Sequence, residues 1–381
     1  MTERYKDITI VNGKYNIDIL ESNNPIFVCV ISYTETSEIP GITVAGANKD
    51  LIKYTSSADA EFLYYGRCKC INGVPATPDG KPTPAIITKT MLNIGNIPFI
   101  VVDAGVKIKP DIPLFSFNLR SGKNISDNIA MESEEVEKAY RYGLILGKQL
   151  SKSHDLVILG ESIPGGTTTA LGVMLSLGID AENKMSSSMP ENPHKLKNTL
   201  IRKSMKKSNI AFGSLKNKPF DAISLFGDPM IPSVTGIAQG IIENGGTVML
   251  AGGTQMCCIL SILKSLKVKT DKVFIGTTKY IFNDHSADFT NLVLSIDDNV
   301  GIVISDLHLI ESTKLGLKAF ANGFVKEGVG AGGVSIATMI NASGKLNGEN
   351  LLKYIEREYE KTIEKKFTLN EINILLKNIT K

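Results

Sequence analysis

The sequence predicts an α/β protein built on a mostly parallel sheet. Two observations carry this. Short β-branched runs alternate with longer segments of helical period, and glycine-rich stretches fall where those runs end. The runs are Phe27 to Ser32, Pro98 to Asp103, Asp155 to Leu159, Thr247 to Leu250, Lys272 to Ile275, Asn291 to Ile296 and Gly301 to Ser305. Most are apolar throughout rather than alternating, as expected of strands buried on both faces. Between them Glu132 to Leu150, Gly166 to Leu177, Ile231 to Glu243 and Met256 to Leu266 have helical spacing. The architecture implied is a Rossmann-like sheet covered by helices on both faces, over residues 26–344. Ligands of such sheets bind outside the carboxyl ends of the strands, where these glycines lie. Residues 1–25 and 345–381 read as a small helical part contributed by the chain termini. Asp111 to Ser126 and Ala181 to Pro193 read as loops.

Composition narrows the function classes. Of 381 residues 43% are hydrophobic, enough for a large core. Lys and Arg total 42 against 39 Asp and Glu, an excess of +3 that does not predict nucleic-acid binding. The basic cluster Lys195 to Lys207 lies on a helical pattern and reads as a solvated face or an anion contact. Thr247 to Leu266 is apolar but interrupted at Gly252, Gly253, Thr254 and Gln255, so it reads as strand-loop-helix rather than a membrane span. The first residues show no secretion leader. The five cysteines, Cys29, Cys68, Cys70, Cys257 and Cys258, are odd in number and suit free thiols in a reducing compartment, the cytoplasm.

Three segments could carry chemistry. In LGESIPGGTTTA a strand ends, Glu161 follows, and Gly165 and Gly166 precede Thr167, Thr168 and Thr169 at a helix start. Glycines admit an anion close to backbone, and the helix entry supplies N–H groups and partial positive charge. The same residues also suit a strand-to-helix turn with a threonine cap. KEGVGAGG places Glu327 among Gly328, Gly330 and Gly333. It matches G-x-G-x-x-G but lacks a clear preceding strand, so a tight turn or a glycine-lined pocket around Glu327 is preferred to a dinucleotide site. Asp103 ends PFIVVD and either meets a ribose hydroxyl or closes its turn. Weaker candidates are Asp284, His285 and Asp288, His308 with Glu311, and Cys68 with Cys70. None has enough partners at ligand spacing to make a metal site.

Taken in order, these segments resemble the nicotinate-nucleotide:dimethylbenzimidazole phosphoribosyltransferases, from about Pro84 to Gly333. The family's P-x-x-V-T-x-x-M is matched by Pro84, Ile87, Thr88 and Met91. Its Asp-x-Gly-Val is matched by Asp103, Gly105 and Val106. Its G-E-M-G-I-G-N-T-T loop is matched by Gly160, Glu161, Gly166, Thr168 and Thr169, with Lys197 aligned to a phosphate-binding lysine. Its L-G-E-G-x-G-A is matched by Glu327, Gly328, Gly330 and Ala331. This chain departs from the pattern at Pro164 and Gly165, at Thr167 in place of asparagine, at Thr90 in place of glutamine and at Ala251 in place of aspartate. The branch resembled is a divergent, archaeal-like one.

The resemblance implies phosphoribosyl transfer from nicotinate mononucleotide to a benzimidazole-like base, with no metal or cofactor. Glu327 would be the general base. Glu161, Gly165, Gly166, Thr167, Thr168, Thr169, Lys197, Gly328, Gly330, Asp103, Thr88 and Thr90 would surround the substrates, in a homodimer with no nucleic-acid or membrane partner. The competing reading is a non-catalytic nucleotide-binding protein on the same scaffold.

Overall fold

The computed structural model describes residues 5–12, 17–46, 48–77, 79–127 and 129–364. Strand β1 (Ile8–Val11) precedes β2 (Pro25–Ile31), and helices α1 (Thr55–Tyr65) and α2 (Ala85–Gly95) lead to β3 (Phe99–Asp103) and the short β4 (Phe115–Ser116). Then come α3 (Ser133–Leu150), β5 (Leu156–Ser162), α4 (Gly166–Leu177), α5 (His194–Lys207), α6 (Pro219–Phe226) and α7 (Met230–Glu243). The chain continues through β6 (Thr247–Ala251), α8 (Thr254–Ser265), β7 (Val273–Thr278), α9 (Lys279–Phe282), α10 (Phe289–Ile296) and β8 (Gly301–Ser305). Helices α11 (Leu315–Ala321), α12 (Ala331–Asn341) and α13 (Gly348–Tyr359) follow. None of the described helices is long and apolar enough to cross a membrane.

The described strands form one eight-stranded sheet in the order β1-β8-β7-β6-β5-β2-β3-β4. Every pairing is parallel except β1 with β8. The strand order reverses direction between β2 and β5, so the chain leaves their carboxyl ends toward opposite edges and opens a crevice there. The central strands serve two cores by strict alternation. Val28 and Val30 face the layer containing α4, α7 and α8, while Phe27, Cys29 and Ile31 face the layer containing α1, α2 and α12. In β5, Val157 and Leu159 go one way, and Leu156 and Ile158 the other.

Two expectations are corrected. Asn291 to Ile296 lies in helix α10, not a strand. With Phe289 included, buried Leu292 and Val293 and the half-buried Ile296 fall at offsets of three, four and seven residues, the spacing of one helix face. Six residues, four of them apolar, do not separate the two periods. At the N-terminus, Ile8–Val11 joins the main sheet as an antiparallel edge strand rather than a helical layer. Asp7 secures it, accepting from Gly348 N–H at 2.8 Å and lying 3.0 Å from His308 Nε2. The expected terminal helix pair, Leu351 to Lys381, is represented by the end of α13 and a wider turn to Glu364, and its remainder lies outside the described residues.

Candidate active site

The crevice holds a cavity lined by the turn 163–167 after β5, residues 186–188, the turn 253–255 after β6, and residues 327–329. Asp59 of α1, Thr83 and Pro84 complete the wall beside residue 328. The two glycine-rich turns read from the sequence therefore converge. Val329 N–H donates to Glu161 O at 2.9 Å. A Cβ on Gly160 would lie 2.8 Å from Gly330 Cα, so the two backbones touch where only glycine fits.

The first turn starts α4. Gly165, left-handed at φ 79°, is its N-cap, and no side chain caps the helix. Thr167 faces the cavity, and Lys197 Nζ donates to its hydroxyl at 2.7 Å and to Ser186 O at 3.0 Å. Lys197 is fully buried, in contrast to its exposed neighbours Lys195, Lys203, Lys206 and Lys207. It forms no ion pair among the described residues. Burial, then the charge of Lys326, pulls its ammonium down to about 7. An anion brought beside it would favour the charged form.

The second turn starts α12. Gly328 and Gly332 N–H groups donate to Glu327 Oε1 at 3.1 Å each, and Thr278 N–H donates to Oε2 at 2.9 Å. Thr277 Oγ1 lies 3.4 Å from Oε2. Burial outweighs these donors and raises the Glu327 carboxyl to about 7. Val325 (φ 46°) and Val329 (φ 53°) flank it in the left-handed region, which β-branched residues avoid. Such backbone persists only when its surroundings hold it. Here Val325 N–H donates to Ser188 O, and Thr88 Oγ1 donates to Val329 O at 2.8 Å. Lys326, buried beside it, pairs with Asp284 at 2.9 Å and donates to Met189 O.

Two more carboxyls line the cavity, Glu161 half-buried and Asp59 buried. Glu161 is pushed up to about 8 by burial and then by the charge of Asp228, so it is largely protonated at pH 7 and can donate. Asp59 accepts from Thr83 Oγ1 at 2.7 Å and Ser162 Oγ at 2.6 Å, and burial raises it to about 6.

Not every expected residue reaches the cavity. Asp103 closes its own turn, accepting from Gly105 and Val106 N–H and from Ser116 Oγ. Thr88 props the Glu327 turn, and Thr90 donates to Ile86 O within α2. Thr169 is turned onto Gly166 O and Asp228, Thr168 is buried, and Gly330 lies against the Phe27 ring. Glu161, Gly165, Gly166, Thr167, Glu327 and Gly328 do line it, and Lys197 reaches it through Thr167. The G-x-G-x-x-G reading fails because helix α11, not a strand, precedes the glycines. Ala251 has a packing reason: a Cβ on Gly333 would lie 2.4 Å from its methyl, leaving no room for a longer side chain.

Sequence reasoning missed Asp59, Thr83, Ser186, Ser187, Ser188 and Gln255. Gln255 had a signal, since β6-Gly252-Gly253-Thr254 repeats the strand-glycine-glycine-threonine-helix pattern of the first turn. Asp59 had none. It is one of two acids, with Glu61, in a helix that matches no site pattern.

A helix entry without a side-chain cap and three carboxyls held above their ordinary pKa meet in one cavity, at the switch point of a parallel sheet, an α/β enzyme arrangement whose chemistry suits an anionic small molecule. A family model described as Phosphoribosyltransferase (DBI_PRT) matches residues 90–280. A UPF0284 protein of Archaeoglobus fulgidus is 43% identical over 356 residues, covering 93% of this chain and 99% of that protein. One from Sulfurisphaera tokodaii is 41% identical over 358 residues, covering 93% and 98%. The crystal structure of nicotinate-nucleotide-dimethylbenzimidazole phosphoribosyltransferase from Thermus thermophilus shares the fold, with a TM-score of 0.61 and 14% identity over 87% of this chain and 84% of that one. The chain belongs to the phosphoribosyltransferase family, is a pentosyltransferase, and has archaeal UPF0284 proteins among its relatives.

Proposed function

We propose that this protein transfers the phosphoribosyl group of nicotinate mononucleotide to a benzimidazole-like base, releasing nicotinate and forming an α-ribazole 5′-phosphate for the lower ligand of a cobamide. The observation that carries the reading is the shared cavity: the α4 entry, backed by Lys197 through Thr167, on one wall, and the carboxyls of Asp59 and Glu327 on the other. The 5′-phosphate lies on the α4 entry. The C1′–nitrogen bond to the pyridinium breaks, and its electron pair leaves with nicotinate, neutral at that nitrogen and in no need of an acid. An azole nitrogen attacks C1′ from the opposite face, which inverts the centre and gives the α product. The proton on the other azole nitrogen passes to a carboxylate. Holding both rings against one ribose supplies the remaining acceleration.

Glu327 is the acceptor that the resemblance indicates. Its oxygens already receive three backbone N–H bonds, close to the capacity of a carboxylate. That observation favours a second acceptor, Asp59, which receives one hydroxyl on each oxygen and faces the same cavity. Incubation with nicotinate mononucleotide and 5,6-dimethylbenzimidazole, with the α-nucleotide detected by chromatography and mass spectrometry, tests the reaction. Nucleotide binding without product for benzimidazole, phenol or purine bases would leave a non-catalytic binder instead. The proposal includes a cytoplasmic homodimer, which sedimentation of the purified protein checks for assembly.

A further inference from the structure

Gln255 occupies the first turn of α8, lines the cavity and is only 6% exposed. Its Nε2 is buried without a hydrogen-bond partner. Buried amide donors are normally satisfied, so an unsatisfied one facing a cavity marks a place where a ligand supplies the acceptor. The amide rests on the first residue of α4: a Cβ on Gly166 would lie 2.6 Å from Nε2, 2.7 Å from Oε1 and 2.8 Å from Cδ. The absence of a side chain at Gly166 is what allows the amide to lie there. Helices α4 and α8 thus present their N-termini to the same cavity, with the Gln255 amide between them. Thr254 Oγ1 ties the α8 entry to the neighbouring wall, accepting from Ser186 N–H at 3.1 Å, and Ser186 O accepts from Lys197. Two helix N-termini and one neutral amide therefore border one cavity, and the Lys197 ammonium stands behind its wall on Thr167.

Resting on the phosphoribosyl-transfer reading, we propose that Gln255 is a direct ligand of the substrate's 5′-phosphate, bridging two helix N-termini into one clamp that selects a phosphomonoester over the bare nucleoside. A neutral donor suits this position. It binds a phosphate oxygen without adding another buried cation to Lys197 and Lys326, and it contributes nothing to a ligand lacking the phosphate.

Calorimetry with wild type, Gln255→Leu and Gln255→Glu tests this, using nicotinate mononucleotide, nicotinate riboside and ribose 5-phosphate as probes. Leucine keeps the bulk and removes the donor, whereas glutamate keeps the shape and adds repulsion. Both phosphorylated probes should bind about tenfold more weakly to Gln255→Leu and more weakly still to Gln255→Glu. Riboside affinity should not change. An equal loss for riboside and nucleotide, or no loss for either phosphorylated probe, overturns the proposal, as does a wild-type protein that binds neither phosphorylated probe. Ribose 5-phosphate separates the two claims. Gln255-dependent binding of it without turnover of the nucleotide sinks the reaction but keeps the clamp. Turnover of the nucleotide with an unaltered KM in Gln255→Leu does the reverse. Circular dichroism on each variant checks that it folds.

Discussion

The turns that start α4 and α12 have the same build and opposite electrostatic outcomes. Each has a left-handed glycine as N-cap, Gly165 or Gly330, and each leads into a buried helix of similar length. The α12 turn brings its own anion, since Gly328 and Gly332 direct their N–H groups to Glu327. At the α4 turn no side-chain carboxylate of the described residues bonds the first N–H groups, and a buried lysine stands beside it. One backbone device therefore fixes a protein carboxylate in one place and, in the proposal above, receives a substrate's charge in the other. What differs is the residue three positions before the glycine: Glu327 folds back onto its own turn, whereas Ser162 directs its hydroxyl to Asp59.

The largest effects should come from the carboxyls. Glu327→Gln should lower turnover by roughly 10²–10⁴ while nicotinate mononucleotide binding stays near wild type, measured by product formation and calorimetry. If Asp59→Asn produces that loss instead and Glu327→Gln does not, the α12 turn holds its carboxylate for structure, and the proton goes to α1. Next come the glycines. In Gly330→Ala a methyl would sit 2.5 Å from the buried Phe27 ring at φ 72°, which should cost about 2–4 kcal/mol in denaturant unfolding. In Gly166→Ala the methyl meets the Gln255 amide, a side chain that can move, so the fold should survive with nucleotide affinity reduced. Lys197→Met should raise KM for the nucleotide about tenfold with a smaller change in kcat. Equal losses in KM and kcat would place Lys197 in the chemical step as well.

The last prediction concerns pH dependence. Burial raises Glu161 to about 8 and Glu327 to about 7, above ordinary carboxyl values near 4.5. The folded state therefore holds protons that the unfolded chain has released. The contribution of these two groups to stability is full below about pH 4 and is lost as pH rises through 7 to 8. Melting temperature should fall from pH 5 to pH 8, and Glu161→Gln should flatten that slope.

Much of this fold was legible because buried parallel strands are written as unbroken β-branched runs. Gly301 to Ser305 and Gly166 to Leu177 are found where the pattern puts them. Asn291 to Ile296 was not, since its four apolar residues fit either period until Phe289 is counted with them. In the site, the turns were legible from glycine placement and Glu327 from its setting. The destinations of polar side chains were not. Thr88, Thr90, Thr169 and Asp103 are of the right type, but each bonds to nearby backbone or to another side chain, and only the tertiary structure shows which. Asp59 and Gln255 enter from helices far apart in the chain, so no local pattern joins them.

A crystal structure with nicotinate mononucleotide tests the division of labour between the two turns most directly. The account predicts the phosphate within hydrogen-bonding distance of the α4 entry and of Gln255, with C1′ toward Glu327 and Asp59. Phosphate density against residues 328–333, or on the surface away from both turns, would contradict it.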